Sequence, residues 1–358
     1  MSATISVVLP VRNGEAFIAS AVESIRRQTF ADFELLLVDD GSVDGTPAIV
    51  ADLARQDSRI RLLHQPGLGL VPALSLGLQQ STGAFVARMD GDDLAAPERL
   101  ERQLAFLSEH SHVALVGTQI RYMDATGRLT GDLSHYPLAP GDVETALMER
   151  GCCISHPTIM ARRDALVSIG GYRSAFLAAE DYDLFLRLAD SHALANLPEA
   201  LLDYRRHDGQ VSSAKDLRQR FSHDLSVLAA RRRRAGAPDP TLALVEPPAL
   251  DPAHCGFGRL DPSVQELVMI YATLQHIASG VGTSDELLLA GVEAAVRAAG
   301  NGFLGVGRKQ RSRLLSALAR TAAQHHLWRL AGTAASMAFR EAPGRAPKLL
   351  FRPPAGMI

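Results

Sequence analysis

Long apolar runs are missing from this chain of 358 residues. No stretch approaches the ~18–20 uninterrupted apolar residues of a membrane-crossing helix, so none is expected. The opening MSATISVVLP lacks a basic segment followed by an apolar one, so no signal peptide is expected there. Cysteine is scarce: Cys152, Cys153 and Cys255 are the only three. Their spacing makes neither a zinc pattern nor a disulfide framework. The adjacent pair reads as buried small hydrophobes, and a reducing compartment is the default. Strong net charge is also absent, at −2, and no nucleic-acid partner is expected. No internal repeat is visible.

What is present is a globular composition, 47% hydrophobic and 21% charged, sufficient for a sizeable core. The length allows one large domain or two ordinary ones. The near-neutral total hides an asymmetry. Residues 1–215 carry 19 Lys+Arg against 28 Asp+Glu, while residues 216–358 carry 18 against 11. An acidic half joined to a basic one predicts two units, 1–215 and 216–358. A Pro-rich linker is expected near 235–253.

Strand and helix signals alternate through the first hundred or so residues. Buried strands are predicted at Ile5–Leu9, Glu34–Val38, Arg59–Leu63, Ala84–Arg88 and Val113–Gly117. Between them fall helical patterns over Gly14–Gln28, from Asp44 or Thr46 with Pro47 in the first turn, over Leu70–Gln80, and from Pro97 to Glu109. This order predicts an α/β fold, a mostly parallel sheet with helices on both faces. From Tyr122 to Gly151 no firm topology is expected. Asp181–Leu188 reads as a helix and Ala200–Tyr204 as a strand. A mainly α-helical C-terminal region follows, with helices at 216–234, 263–279, 284–299 and 309–338.

In open parallel sheets, ligands bind beyond the carboxyl ends of the strands. Three polar clusters fall at such ends: Pro10-Val11-Arg12-Asn13, Asp39-Asp40-Gly41-Ser42, and Asp90-Gly91-Asp92-Asp93. Two carboxylates two residues apart, as in Asp90 and Asp92, can both reach a hard divalent cation. Mg²⁺ or Mn²⁺ shares its shell with substrate phosphates. A bare Asp-x-Asp is more often a solvated acidic turn; the preceding strand and the companion clusters reverse those odds. Asp40 at a strand end can accept a hydrogen bond from a base or ribose, or cap a turn; both readings can hold together. A calcium loop fails at either acidic segment, through Ala51 in one and Leu94-Ala95 in the other. The first strand is not followed by G-x-G-x-x-G, which excludes the dinucleotide fingerprint. Glu180-Asp181, after Gly170-Gly171-Tyr172, offers a carboxylate able to deprotonate a hydroxyl, although at a helix start it also suits the helix dipole. His156 and His207 are each more often structural when taken alone.

The ordered set resembles the family 2 glycosyltransferases of GT-A fold. It comprises Pro10-Val11-Arg12-Asn13-Gly14-Glu15, Val38 to Thr46 (VDDGSVDGT), Arg88-Met89-Asp90-Gly91-Asp92-Asp93, Glu180-Asp181-Tyr182-Asp183 and Tyr204-Arg205-Arg206-His207. The resemblance spans Ile5 to Ser212. It implies a nucleotide-diphospho-sugar transferase sheet, a nucleotide-sugar donor and a glycan or lipid-linked acceptor. Pro10, Arg12, Asn13, Glu15 and Asp40 would lie at the nucleotide. Asp90 and Gly91 would belong to the donor motif, with Asp92 the metal ligand and His207 completing the metal or phosphate shell. Asp181 would be the catalytic base of an inverting displacement. Arg12 stands where members often carry Tyr. The Gln-x-x-Arg-Trp signature of processive synthases is absent, which favours single addition.

Two other readings stand beside this one: a non-catalytic nucleotide-sugar-binding module, and a sugar nucleotidyltransferase. The latter wants a Gly-rich basic phosphate loop after the first strand, where this chain has Asn13-Gly14-Glu15. From residue 301 onward there are ten Lys+Arg and one acidic residue, with Leu327, Trp328, Leu330 and Phe339 among them. Peripheral docking on a membrane surface, packing on the catalytic domain and oligomer formation all remain open for that segment. A cytoplasmic protein, at most peripheral to the inner face of the membrane, is expected.

Overall fold

A computed structural model of the chain describes residues 3–207, 216–251 and 257–279, with isolated helical positions beyond. The chain divides into two compact units, one of Met1–Ser174 with Glu180–Ala214, the other of Ala175–Ala179 with Lys215–Ile358.

The first unit is built on a nine-stranded sheet. Its strands are β1 (Ile5–Val11), β2 (Phe33–Asp40), β3 (Ile60–Gln65), β4 (Phe85–Arg88), β5 (Leu94–Ala95), β6 (Val113–Met123), β7 (Leu129–Leu133), β8 (Met160–Arg162) and β9 (Ala193–Arg205). They lie in the order β3-β2-β1-β4-β8-β6-β9-β5, with β7 paired to β6 off this path. Every residue of β1 and β2 is buried. Strands covered on both faces read as continuous apolar runs, which is why these two were visible in the sequence. Their parallel register sets Val7 against Leu35 and Val11 against Asp39.

Parallel neighbours require crossover connections. Helices α1 (Ile18–Arg26), α2 (Thr46–Gln56) and α3 (Leu70–Gln80) supply them. In α1, Ile18, Ala21, Val22 and Ile25 are buried, the three-and-four spacing of a single apolar face. Helix α4 (Arg99–Glu109) leads to β6, and α5 (Pro140–Glu149), α6 (Arg163–Ser168) and α7 (Glu180–Ala189) complete the unit.

Several elements go beyond the sequence expectation. The stretch left without topology forms the end of β6, the hairpin strand β7 and α5. Strand β7 is exposed at all five positions, so it carries no inward–outward alternation to read. Strands β5 and β8 have two and three residues, too few for a period. Both are antiparallel and both shape the site. Strand β8 bridges β4 and β6, with Met160 against Ala87 and against Val116. Strand β5 pairs with the end of β9, with Leu94 opposite Asp203. That pairing ties the segment after Asp90–Asp93 to the segment before His207.

In the second unit, α8 (Asp216–Arg234) and α9 (Pro262–Ser279) bury Phe221, Leu225, Leu228, Val264, Val268 and Tyr271. The Tyr271 hydroxyl donates to Asp224 Oδ2 at 2.6 Å, a buried polar link in this core. Residues 235–251 form turns, bends and irregular segments. The end of the expected linker at 252–253, Cys255, and the expected helices over 284–299 and 309–338 lie outside the described residues, apart from isolated positions. Leu327, Trp328, Leu330 and Phe339 lie outside them as well. Among the described residues, no helix is long and apolar enough to cross a membrane.

One buried ion network fixes α7. Asp183 is 1% exposed and accepts from Arg173 Nε at 3.0 Å and Arg187 Nε at 2.9 Å. Arg187 also donates to the carbonyls of Ile169 and Gly171, at 2.7 and 2.6 Å. Removing one member of such a cluster leaves the others charged and dry. Asp183→Ala should therefore lose about 3–5 kcal/mol of stability, read as a lowered denaturant midpoint. A variant as stable as the parent would refute this role.

Candidate active site

Strand β4 delivers the centre of the site. Its last residue, Arg88, is buried and forms an ion pair with Asp90, its Nη1 donating to Asp90 Oδ2 at 2.7 Å. Beyond it the chain turns through Asp90, Gly91, Asp92 and Asp93. One carboxylate oxygen from each of Asp90, Asp92 and Asp93 lies within 4.8 Å of the others. Fully buried Arg99 holds this strand end from below. Its Nη2 donates to the Arg88 carbonyl at 2.6 Å and its Nε to Gln103 Oε1 at 3.1 Å.

Crowded carboxylates resist ionisation. Burial raises the Asp90 carboxyl to about 6, reinforced by Asp92 and Asp181 and opposed by Arg88. Burial, then the charges of Asp90 and Asp92, pushes Asp93 well above the ordinary carboxyl range. Such shifts are typical of functional clefts.

The end of β9 closes the site from the other side. The Arg205 amide donates to Asp93 Oδ1 at 2.9 Å, and its Nε to the Asp92 carbonyl at 2.7 Å. The same guanidinium reaches the Ala125 carbonyl at 3.2 Å and lies 4.6 Å from the Phe17 ring centroid. Phe17 in turn lies 5.1 Å from the His207 ring. His207 Nε2 is 3.0 Å from Asp92 Oδ2. The structure thus brings His207 to Asp92.

The two other polar clusters emerge at the carboxyl ends of β1 and β2 and are laced together. Asn13, at a φ of 51° that asparagine tolerates, donates its amide to Ser42 Oγ and accepts from the Val43 amide, both at 2.9 Å. Glu15 Oε2 accepts from the Gly45 amide at 2.5 Å. Asp40 is buried, accepting from Gln65 Nε2 at 2.6 Å and the Gly69 amide at 3.0 Å. Exposed Arg12 lies 3.8 Å from its Oδ2. A Cβ on Gly41, where φ is 66°, would sit 2.7 Å from the Gly67 nitrogen, so only glycine admits this approach of the two loops. Pro10 is buried within β1, and Gly91 lies over Val11 and Ile18. Asp40, Asn13 and Glu15 therefore already serve the loop framework.

Asp181 sits in the first turn of α7, its Oδ1 accepting from the Tyr182 amide at 2.7 Å. Its charge reaches Asp90, which puts it in the electrostatic neighbourhood of the triad. Cys152 Sγ lies 4.0 Å from Asp181 Oδ2. Of the cysteine pair expected to be buried, Cys153 is, but Cys152 is exposed. It sits on the loop that faces Asp181, not in a core.

The donor set fits a hard divalent cation. The ligand atoms are carboxylate oxygens with one imidazole nearby. Asp93 Oδ2 is buried and has no hydrogen-bond partner among the described residues, although buried carboxylate oxygens are ordinarily satisfied. Sequence reasoning named Asp93 only as part of its cluster and missed Arg88, Arg99 and Arg205 as its supports. The adjacent Asp92-Asp93 pair was the available signal for the first. For the arginines there was none short of the fold.

Residues 6–169 match the model of the glycosyl transferase family 2. EpsE of Bacillus subtilis (strain 168) is 35% identical over 234 residues, 64% of this chain and 82% of that one. The amylovoran biosynthesis glycosyltransferase AmsE of Erwinia amylovora is 33% identical over 217 residues, covering 59% of this chain and 79% of its own. Among solved structures, residues 1–349 of S. aureus TarS align with a TM-score of 0.57 at 17% identity, over 96% of this chain and 92% of that one. The chain has the GT-A fold, and it belongs to the family 2 glycosyltransferases.

Proposed function

We propose that the chain is an inverting, metal-dependent enzyme that moves a sugar from a nucleotide-sugar, a UDP-sugar, to a hydroxyl of a glycan or lipid-linked acceptor. The observation that carries this reading is the carboxylate triad with its orphaned Asp93 oxygen, set beside Asp181 at the carboxyl edge of the sheet. TarS has been solved with UDP and with UDP-GlcNAc. The name of AmsE assigns that protein to amylovoran biosynthesis, which supports a glycan acceptor.

Asp92, with Asp90, Asp93 and His207, would hold Mn²⁺ or Mg²⁺. Such an ion supplies charge neutralisation for a departing diphosphate. Pro10, Arg12, Asn13, Glu15 and Asp40 would flank the nucleotide, and Gly91 would let the donor approach the turn. Asp181 would take the proton of the acceptor hydroxyl. The freed oxygen lone pair then forms the new bond to the anomeric carbon. The bond to the nucleotide breaks on the opposite face, its electrons leave with the nucleoside diphosphate, and the configuration inverts.

Three measurements test this reading. Nucleotide release from UDP-sugars with Mn²⁺ should fall by about a hundredfold or more in Asp92→Ala. A wild type inactive with every common donor would favour a binding module instead. Asp181→Asn should lower turnover by about 10²- to 10⁴-fold while leaving UDP affinity intact; loss of UDP binding would argue against the base role. The third is a pH comparison. The Asp90 carboxyl is raised to about 6 from an unfolded value of ~3.9. Its contribution to stability is therefore present below about pH 4 and lost as pH rises through about 6. Above that point the ionised triad repels itself and a cation offsets the repulsion. Mn²⁺ should accordingly raise the Tm more at pH 7.5 than at pH 5, and equal shifts would count against a triad-bound ion.

A further inference from the structure

Tyr172 and His156 lie beside the site without a task in the scheme above. Tyr172 follows Gly170 and Gly171, both left-handed with φ of 79° and 65°, a turn that side chains resist. The turn is held at two points. Arg187 donates to the Gly171 carbonyl at 2.6 Å, and Arg173 is bound by Asp183. Both partners belong to α7, the helix that carries Asp181. The backbone on either side of Tyr172 is thus fixed relative to Asp181.

The hydroxyl is fixed as well. It lies 2.8 Å from Nε2 of His156, which is buried at 7% exposure. The two rings are 5.6 Å apart, and Phe185 of α7 meets His156 edge-on at 6.2 Å. Burial, then the charge of Arg88, holds His156 well below its ordinary pKa, so the ring is neutral. Burial pushes the Tyr172 phenol up, with Asp181, Glu180 and Asp90 adding to the effect against Arg88. The phenol keeps its proton in the field of the acidic site.

Tyr172 itself is only half-buried. A side chain serving the core alone would pack as well as phenylalanine and would need no buried imidazole on its oxygen. The acids around it are acceptors. A sugar hydroxyl that gives its hydrogen to a carboxylate still has lone pairs that want a donor, and a protonated phenol can supply one.

We propose that Tyr172 is a substrate-contacting residue whose O–H donates to a sugar hydroxyl at the reaction centre, and that His156 is a positioning residue whose Nε2–H donates to the Tyr172 oxygen and turns that O–H outward. The proposal rests on the glycosyl-transfer reading. Its test is a double-mutant cycle on nucleotide release from UDP-glucose, UDP-galactose and UDP-N-acetylglucosamine with Mn²⁺, beside UDP affinity and thermal unfolding. Tyr172→Phe should lower turnover on the order of 10- to 100-fold with UDP affinity unchanged. His156→Phe should cost about the same, the double variant no more than either alone, and His156→Gln, which retains an N–H, should recover part of the loss. An active wild type matched by Tyr172→Phe overturns this proposal alone, as do losses that multiply in the double variant. A wild type that cleaves no donor overturns it together with the transferase reading.

Discussion

Three carboxylates within 4.8 Å of one another are the constraint around which the catalytic unit is arranged. Left to themselves they would drive the turn apart or take up protons. The chain opposes this with a buried guanidinium at Asp90, a backbone amide at Asp93 and an imidazole at Asp92. None of these supports is local to the turn except Arg88. The amide and the imidazole come from the end of β9, and the two-residue β5 locks that end against the segment following the triad.

Comparison with Asp183 separates structural from functional burial of charge. Asp183 is almost fully buried, but two guanidiniums meet it and their remaining hydrogens find carbonyls. Its charge is compensated within the protein. In the triad, one Asp93 oxygen lacks a partner among the described residues, and two of its acids are pushed toward protonation. Buried ionic clusters complete in themselves hold a fold; incomplete ones are poised for a ligand. By that criterion Asp183 is of the first kind: it anchors the helix whose first turn carries Asp181.

The sequence exposed those features whose cause is local. Strands β1 and β2 announce themselves because both faces are buried, and α3 falls on the predicted Leu70–Gln80 because its pattern is uninterrupted. The polar clusters could be assigned to one edge because parallel strands point their ends the same way. The supports of the site were illegible for the opposite reason. The bond from Arg205 to Asp93 joins residues 112 apart, and that between Tyr172 and His156 depends on a glycine turn and a buried loop. No periodicity encodes such contacts. Strand β8, three residues long, was invisible, yet it sets the spacing between β4 and β6.

The two sides of the site differ in how they are held. On one side, loops after β1 and β2 brace each other through Asn13, Glu15, Ser42 and Asp44, and Asp40 is tied to the Gly69 loop. That side is preorganised by many neutral or single-charge hydrogen bonds, each worth about 1 kcal/mol. Loss of any one should be absorbed by the rest. On the side of Asp181, positioning converges on the Asp183 cluster, which orients both α7 and the turn bearing Tyr172. Damage there cannot be shared. The loops after β1 and β2 can therefore vary without disturbing the placement of α7, a division that suits a fold used for many specificities.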